Sequence, residues 1–253
     1  MSPISRRKLI TGGAVTAAVG LSGVAAAGRI AERYGLIPPD HGMLYGAGET
    51  LNYATQRLLA RHALAREFPR GMISKTPFLN EVSRHGAWFK EAQAEGFRSW
   101  RLSVDGMVAR PTSFSVADLQ ALGRGSQITE VMCEEGWSYI AEWIGTPLSA
   151  VLREVGALPQ ARYAVYLSPD PDQWDSLDMS EAQHPQTLLT WGMNDGDLPV
   201  GFGGPLRMRV PRQLGYKSVK YIHRVTVTDS VKRFGDGRGS PAPAGGYAWY
   251  AGI

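Results

Sequence analysis

The sequence predicts an α+β fold with mixed sheets and brief helices. Three observations carry this. Beyond Ser99, apolar residues alternate with polar ones in short runs, the period of half-buried strands. Helix-start signals fall between those runs. Thirty Gly and sixteen Pro in 253 residues demand many turns. At 43% hydrophobic and 20% charged residues the composition is that of a globular protein. The length fits one core with extensions or two small domains.

The elements follow in order. Gly28–Gly48, with Pro38-Pro39, reads as an extended lead-in. Leu51–Phe68 predicts a helix, because Leu51, Ala54, Leu58, Leu59 and Leu64 recur at helical spacing. Pro69–Pro77 breaks it, and Ala87–Glu95 predicts a short helix ended by Gly96. These segments are expected to decorate the domain that follows. Trp100, Leu102 and Val104 alternate, and Asp105-Gly106 turns the chain. Ser115 is placed as an N-cap with Asp118 in the first turn. Ile128–Cys133 is a strand running into a loop, and Thr146-Pro147 opens a helix through Val155. Arg162–Leu167 and Leu188–Met193 are apolar strands, and Asp195-Gly196 is a tight turn. Leu206, Met208 and Val210 alternate with Arg207 and Arg209, and Val219–Val227 is the last strand. Phe234–Gly246 is a Gly/Pro-rich tail, from which Tyr247–Tyr250 is expected to dock aromatic rings on the body.

The charge is concentrated at the start. Of the net +4, +3 sits in Arg6, Arg7 and Lys8, and residues 1–27 hold no acid, which leaves +1 for the remainder. The pI of 9.2 is therefore mostly a property of the leader and gives no case for nucleic acid as a partner. Leu9–Val24 is weakly apolar and rich in Gly, Ala and Thr, and Ala25-Ala26-Ala27 offers a small-residue cleavage site. Twin arginines before a weakly apolar run are the address of the twin-arginine export route, which implies a periplasmic protein. Retention of the same run as a membrane anchor is the alternative.

Cys133 is the only cysteine. Alone it forms no intramolecular disulfide, so it packs, reacts or binds a metal. His41, His62, His85, His184 and His223 show no paired metal-ligand spacing. A metal on this thiolate would need its other ligands from a cofactor.

Several stretches, in order, resemble one family. They are Trp100-Arg101-Leu102-Ser103-Val104-Asp105-Gly106, then Cys133-Glu134-Glu135-Gly136-Trp137-Ser138, then Trp143-Ile144-Gly145-Thr146-Pro147-Leu148, then His184-Pro185. They continue with Gly203-Gly204-Pro205-Leu206-Arg207-Met208-Arg209-Val210-Pro211 and close with Gly215-Tyr216-Lys217-Ser218-Val219-Lys220-Tyr221-Ile222. Together they resemble the sulfite-oxidase-type molybdopterin-dependent oxidoreductases. Within that family the chain resembles the stand-alone bacterial type that includes the periplasmic protein-methionine-sulfoxide reductase catalytic subunit. The resemblance implies the sulfite-oxidase-type molybdopterin-binding fold over residues 97–229. Residues 1–27 are then a twin-arginine signal peptide, 28–96 an N-terminal extension and 230–253 a tail packed on the core.

The resemblance also implies a molybdenum–molybdopterin cofactor with Cys133 as metal ligand. Glu135 matches a carboxylate near the metal, fit to relay protons, although a solvated loop acid is the competing reading. Arg207, Ser218, Val219 and Lys220 match the stretch that holds the pterin phosphate. Ser168 matches a hydroxyl that contacts the pterin, and Asn52 matches an N-terminal pterin contact. His184 is expected to order the cofactor pocket or to be a satisfied structural histidine. Arg209 alternates with apolar neighbours as Arg207 does and equally reads as a solvated strand residue. Lys217 reads as solvated, and Trp137 and Trp143 as packing residues. Two departures stand out. Phe202 occupies a position where relatives carry Asn or His, and Ala54-Thr55-Gln56 lacks the reductase's Tyr-Glu pair.

The function these readings imply is oxygen-atom transfer with two-electron redox, acting as a periplasmic oxidoreductase on a small S-oxide or N-oxide. No Cys-x-x-Cys-His haem motif is present, so electrons need a separate partner. The resemblance implies a membrane cytochrome b subunit, with a soluble cytochrome as the alternative. The alternative is a non-catalytic periplasmic binding module that keeps the fold without molybdenum. A thiol enzyme using Cys133 and His184 is a third reading, for which the sequence offers no base beside the cysteine.

Overall fold

The computed structural model describes residues 29–31, 35–41, 46–80 and 86–253. The expected signal peptide lies outside them, as does His85. The helices are α1 (Ala47–Leu59), α2 (Ala87–Ala94), α3 (Val116–Leu122), α4 (Leu148–Glu154) and α5 (Met179–Ala182). Among the described residues ten strands accompany them: β1 (Leu102–Gly106), β2 (Thr112–Phe114), β3 (Gly125–Met132), β4 (Ser138–Pro147), β5 (Tyr163–Leu167), β6 (Trp174–Asp178), β7 (Leu188–Met193), β8 (Gly196–Asp197), β9 (Arg207–Arg209) and β10 (Arg224–Thr228).

The strands form two sheets, and the α+β class holds. The first has the order β2-β1-β10-β5-β6, with β1 and β10 parallel and the other pairs antiparallel. The second runs β3-β4-β7-β8, with β9 also on β7, and all its pairs are antiparallel.

Alternation along the strands divides the core. Leu102 and Val104 of β1, Ala164 and Tyr166 of β5, Leu189 of β7, Met208 of β9 and Leu148 and Leu152 of α4 share the main cluster. The opposite face of β5, with Tyr163 and Val165, packs with Tyr53, Trp249 and Tyr250. That contact docks the C-terminal aromatics, as the sequence predicts for Trp249 and Tyr250. The outer side of the second sheet gathers Val131, Tyr139, Ala141 and Trp143, with Trp137 and Phe202 against them. This third cluster lies under the Cys133 loop.

Local signals act as expected in several places. Ser115 Oγ accepts from the Asp118 N–H at 3.1 Å and the Asp118 carboxylate accepts from the Ser115 N–H at 2.8 Å, a complete capping box on α3. Thr146 and Pro147 remain in β4, and α4 starts one residue later than the Pro signal suggests. The last strand is shorter than predicted. It begins at Arg224 because residues 219–223 bend away, with Tyr221 at φ +57°.

One expectation from apolar spacing fails, and the solvated readings of Arg209 and Lys217 are overturned. The helix over Leu51–Phe68 ends at Leu59, and its leucines face outward rather than into the core. Its buried residues are Glu49, Tyr53 and Arg57, because Arg57 pairs with buried Asp178 and Glu181. Arg209 is not solvated. It is 1% exposed and donates to Thr129 Oγ1 at 3.1 Å and to the Glu130 carbonyl at 2.6 Å. Lys217 is fully buried against Asp175.

The extension is built into the sheets. The Phe68 N–H bonds the Ile128 carbonyl at 2.9 Å on the free edge of β3. Ser74 exchanges two bonds with Ile140 of β4, where β7 no longer covers that strand. These contacts carry the chain to Phe78, Leu79 and Asn80, over the third cluster.

Candidate active site

The Cys133 loop is the turn between β3 and β4, whose pairing runs out at Met132 and Ser138. The Cys133 N–H donates to the Trp137 carbonyl at 2.9 Å, and the Gly136 N–H to the Cys133 carbonyl at 3.1 Å. Gly136 has φ +92°, which closes the turn without a Cβ clash. The thiol therefore projects from a rigid hairpin end into a cleft of about 610 Å³. Gly215 packs against the loop from the far wall, where a Cβ would come within 3.3 Å of the Met132 carbonyl oxygen.

Carboxylates surround the sulfur. Cys133 Sγ lies 3.3 Å from Glu134 Oε2 and 3.7 Å from Glu135 Oε2. Burial pushes the thiol up to about 12, and the Glu134 and Glu135 carboxylates add to that. Such a sulfur is a poor free nucleophile at neutral pH, which weighs against the thiol-enzyme reading. Glu135 itself is exposed and accepts the Trp137 indole N–H at 2.8 Å.

The opposite wall brings together Arg207, Ser218, Val219 and Lys220, all lining the cleft with Cys133. Arg207 is buried and donates to the Phe202 carbonyl at 2.8 Å and to the Ser218 carbonyl at 2.7 Å. Its guanidinium and that of Arg209 both lie against Trp143, 5.0 and 5.5 Å from the ring centroid. Burial and the neighbouring Arg207 pull Arg209 down to about 9. Ser218 Oγ accepts the Val210 N–H at 3.1 Å. Lys220 Nζ donates to the carbonyls of Gly201, at 2.7 Å, and Asn80. Gly203, at φ +108°, lets the backbone pass between Lys220 and Arg207, where a Cβ would meet the Lys220 side chain at 2.9 Å.

The structure does not bring four of the sequence-derived residues to the cleft lining: Glu135 lies exposed at its edge beside Trp137, and Asn52, Ser168 and His184 lie away from it. Asn52 is exposed on α1. Ser168 opens the loop whose Asp170, Asp172 and Gln173 do line the cleft, and its N–H bonds the Gln173 carbonyl at 2.9 Å. His184 is buried elsewhere, its Nδ1 accepting the Gln186 N–H at 3.3 Å. Burial, then the charge of Arg212, holds this imidazole down to about 4.

Phe78, Tyr139 and Asn80, which sequence reasoning missed, complete the cleft with Trp137 and Phe202. Phe78 stacks on Trp137 at 4.7 Å, and Trp137 on Tyr139 at 6.0 Å. Phe202 meets Tyr139 edge-on at 5.8 Å. Asn80 Nδ2 lies 3.4 Å from Glu135 Oε2. Alternation through Trp137, Tyr139 and Trp143 was a legible signal for the aromatic wall. The arrival of Phe78 and Asn80 left none, because the contact spans over fifty residues of sequence.

These residues fit a cofactor that brings its own metal ligands. Among the described residues no group of three or more His, Cys, Asp or Glu side chains could hold a metal by itself. The single soft sulfur donor faces a cleft large enough for an organic group of cofactor size. The facing wall offers a hydroxyl, an ammonium and a guanidinium, donors suited to an anion.

Residues 87–234 match the oxidoreductase molybdopterin binding domain family. YedZ1 of Azospira oryzae, a candidate protein-methionine-sulfoxide reductase subunit, is 36% identical over 189 residues, covering 75% of this chain and 68% of that protein. The protein-methionine-sulfoxide reductase catalytic subunit MsrP of Ralstonia nicotianae is 35% identical over 145 residues, which is 51% of this chain and 44% of that one. The sulfane dehydrogenase SoxCD of Paracoccus pantotrophus shares the fold, with a TM-score of 0.51 at 22% identity over 68% of this chain and 46% of the other. The chain is thus an enzyme of the sulfite-oxidase-type molybdopterin-dependent oxidoreductases and belongs to the family whose cofactor is molybdenum–molybdopterin.

Proposed function

We propose that the chain reduces a small neutral S-oxide or N-oxide in the periplasm, with Cys133 as metal ligand. The observation that carries this reading is the ring of groups about Cys133. The thiol shares its cleft with Glu134, Asp170 and Asp172, beside an aromatic wall of Phe78, Trp137, Tyr139 and Phe202. Carboxylates repel an anion such as sulfite in a partly desolvated cleft, while the rings accept the apolar substituents of a neutral oxide. The relatives named for methionine-sulfoxide reduction support the same substrate class.

When bound, the molybdenum–pterin group supplies the two-electron oxygen-atom-transfer chemistry. Cys133 would hold the metal side of it, and Ser218, Val219 and Lys220 the phosphate side. Arg207 braces that wall through the Phe202 and Ser218 carbonyls. Overall, the S-oxide takes up two electrons and two protons, the S–O bond breaks, and sulfide and water leave. Glu135 would carry the proton; the solvent access of its carboxylate and the Trp137 indole N–H that orients it support this role. The electrons come from a separate redox partner, a membrane cytochrome b subunit or a soluble cytochrome.

Export by the twin-arginine route belongs to the same proposal and rests on Arg6-Arg7 before a weakly apolar run. A Lys-Lys replacement there should strand the holoenzyme in the cytoplasm. Turnover of neutral S-oxides and N-oxides with an artificial electron donor, set against sulfite oxidation, tests the substrate class. Sulfite turnover with no reduction of any neutral oxide would overturn it.

A further inference from the structure

Helix α1 is inside out. Leu51, Leu58 and Leu59 are 68%, 65% and 83% exposed, while Glu49, Tyr53 and Arg57 are buried. At 3.6 residues per turn, Leu51, Thr55 and Leu58 share one line and Leu59 lies beside it. The orientation is fixed from the other side. Tyr53 Oη donates to Asp178 Oδ2 at 2.8 Å, and Arg57 pairs with Asp178 at 2.8 Å and Glu181 at 3.3 Å. A helix on a water-facing surface normally presents polar residues outward, and a contiguous exposed apolar patch marks an interaction surface.

The patch continues past the helix. From Leu58 to Arg66 the chain exposes three leucines, with Leu64 the third, and two arginines, Arg61 and Arg66. That run contains no acid. Leu58 and Arg61 also line a groove of about 560 Å³ with Leu36, Tyr163, Met179 and Arg162. The one lining carboxylate, Asp178, is already paired with Arg57.

We infer that α1 and the run through Arg66 form a docking surface for an anionic lipid bilayer. The leucines would enter the boundary between headgroups and acyl chains, and Arg61, Arg66 and Arg162 would meet lipid phosphates. Charge complementarity selects this occupant. Across a two-fold contact with a second copy the same arginines would face one another, which opposes self-association.

Hydrogen exchange of residues 47–66 in the full chain, with vesicles of phosphatidylcholine alone or mixed with phosphatidylglycerol, tests this. Slower exchange of the segment on the anionic vesicles only is expected. Leu58→Glu with Leu59→Glu, and separately Arg61→Glu with Arg66→Glu, should abolish that protection and weaken vesicle partitioning by about tenfold or more. Both pairs are exposed, so the thermal midpoint should not move. Flotation alone is not the criterion, since Leu9–Val24 could bind lipid without α1. An unprotected segment on a floating protein would overturn the inference, and so would equal protection on neutral vesicles. Protection already present without vesicles would also overturn it, showing the face covered by a second copy or by this chain's own leader.

Discussion

Lys217 and Asp175 form a buried ion pair, 2.5 Å between Nζ and Oδ1, directly before the stretch that faces Cys133. Burial pulls Lys217 down and pushes Asp175 up, and each charge draws the other back. Asp175 also accepts from Ser240 Oγ at 3.0 Å and from the Ser176 N–H at 2.7 Å, and Trp249 lies 4.6 Å from the ammonium. The pair thus fastens β6 and the C-terminal tail under the cleft wall that carries Ser218 to Lys220.

Removing one partner leaves an uncompensated buried charge. Lys217→Met should lower the unfolding free energy by about 3–5 kcal/mol. Lys217→Met with Asp175→Asn should restore most of the loss, because no net charge stays buried. Denaturant unfolding of the two variants checks this, and equal destabilisation would argue that packing, not charge, dominates.

Cys133→Ala should leave the fold nearly intact, with a cost of about 1 kcal/mol. Molybdenum content and redox turnover should both collapse. Elemental analysis and an artificial-donor assay on the same preparation read the two. Full turnover with metal retained would refute the ligand assignment.

Arg207→Ala should destabilise the protein as well as empty the cofactor site. Its guanidinium satisfies the Phe202 and Ser218 carbonyls, and hydrogen bonds from a charged donor are worth about 1.5–3 kcal/mol each. Pterin released per mole of protein should fall along with the thermal midpoint. An unchanged midpoint with lost pterin would instead place the guanidinium on the cofactor alone.

His184 should make stability fall on acidification. Its folded-state value, about 4, lies below the usual 6.5, so below that value the unfolded chain binds more protons than the folded one. Stability is therefore full above about pH 6.5 and declines as pH drops towards 4. Asp175 and Glu181, both raised by burial, act in the opposite sense, so the comparison must be between wild type and His184→Gln. The variant's pH–stability curve should be flatter between those values, and an identical curve would remove His184 as the cause.

Much of the site was legible in the order of short motifs. Cys133, Arg207, Ser218, Val219 and Lys220 converge on one cleft, and each lies in a stretch whose chemistry a linear reading can name. Ser115 with Asp118, and the alternation of Leu102 with Val104, were equally legible, because caps and strand faces depend on near neighbours.

The sequence by itself determined the α+β class, the family and the sulfur that faces the cleft. Tertiary structure decided which side each amphipathic element turns. Apolar spacing turned Leu51 and Leu58 inward, yet Asp178 and Glu181, over a hundred residues away, hold Arg57 and turn those leucines out. It likewise buried Arg209 and Lys217, and brought Asn80 rather than Asn52 to the cleft. The physical reason is common to all of these. A buried charge or polar group goes where its partner is, and a partner distant in sequence leaves no trace in local periodicity.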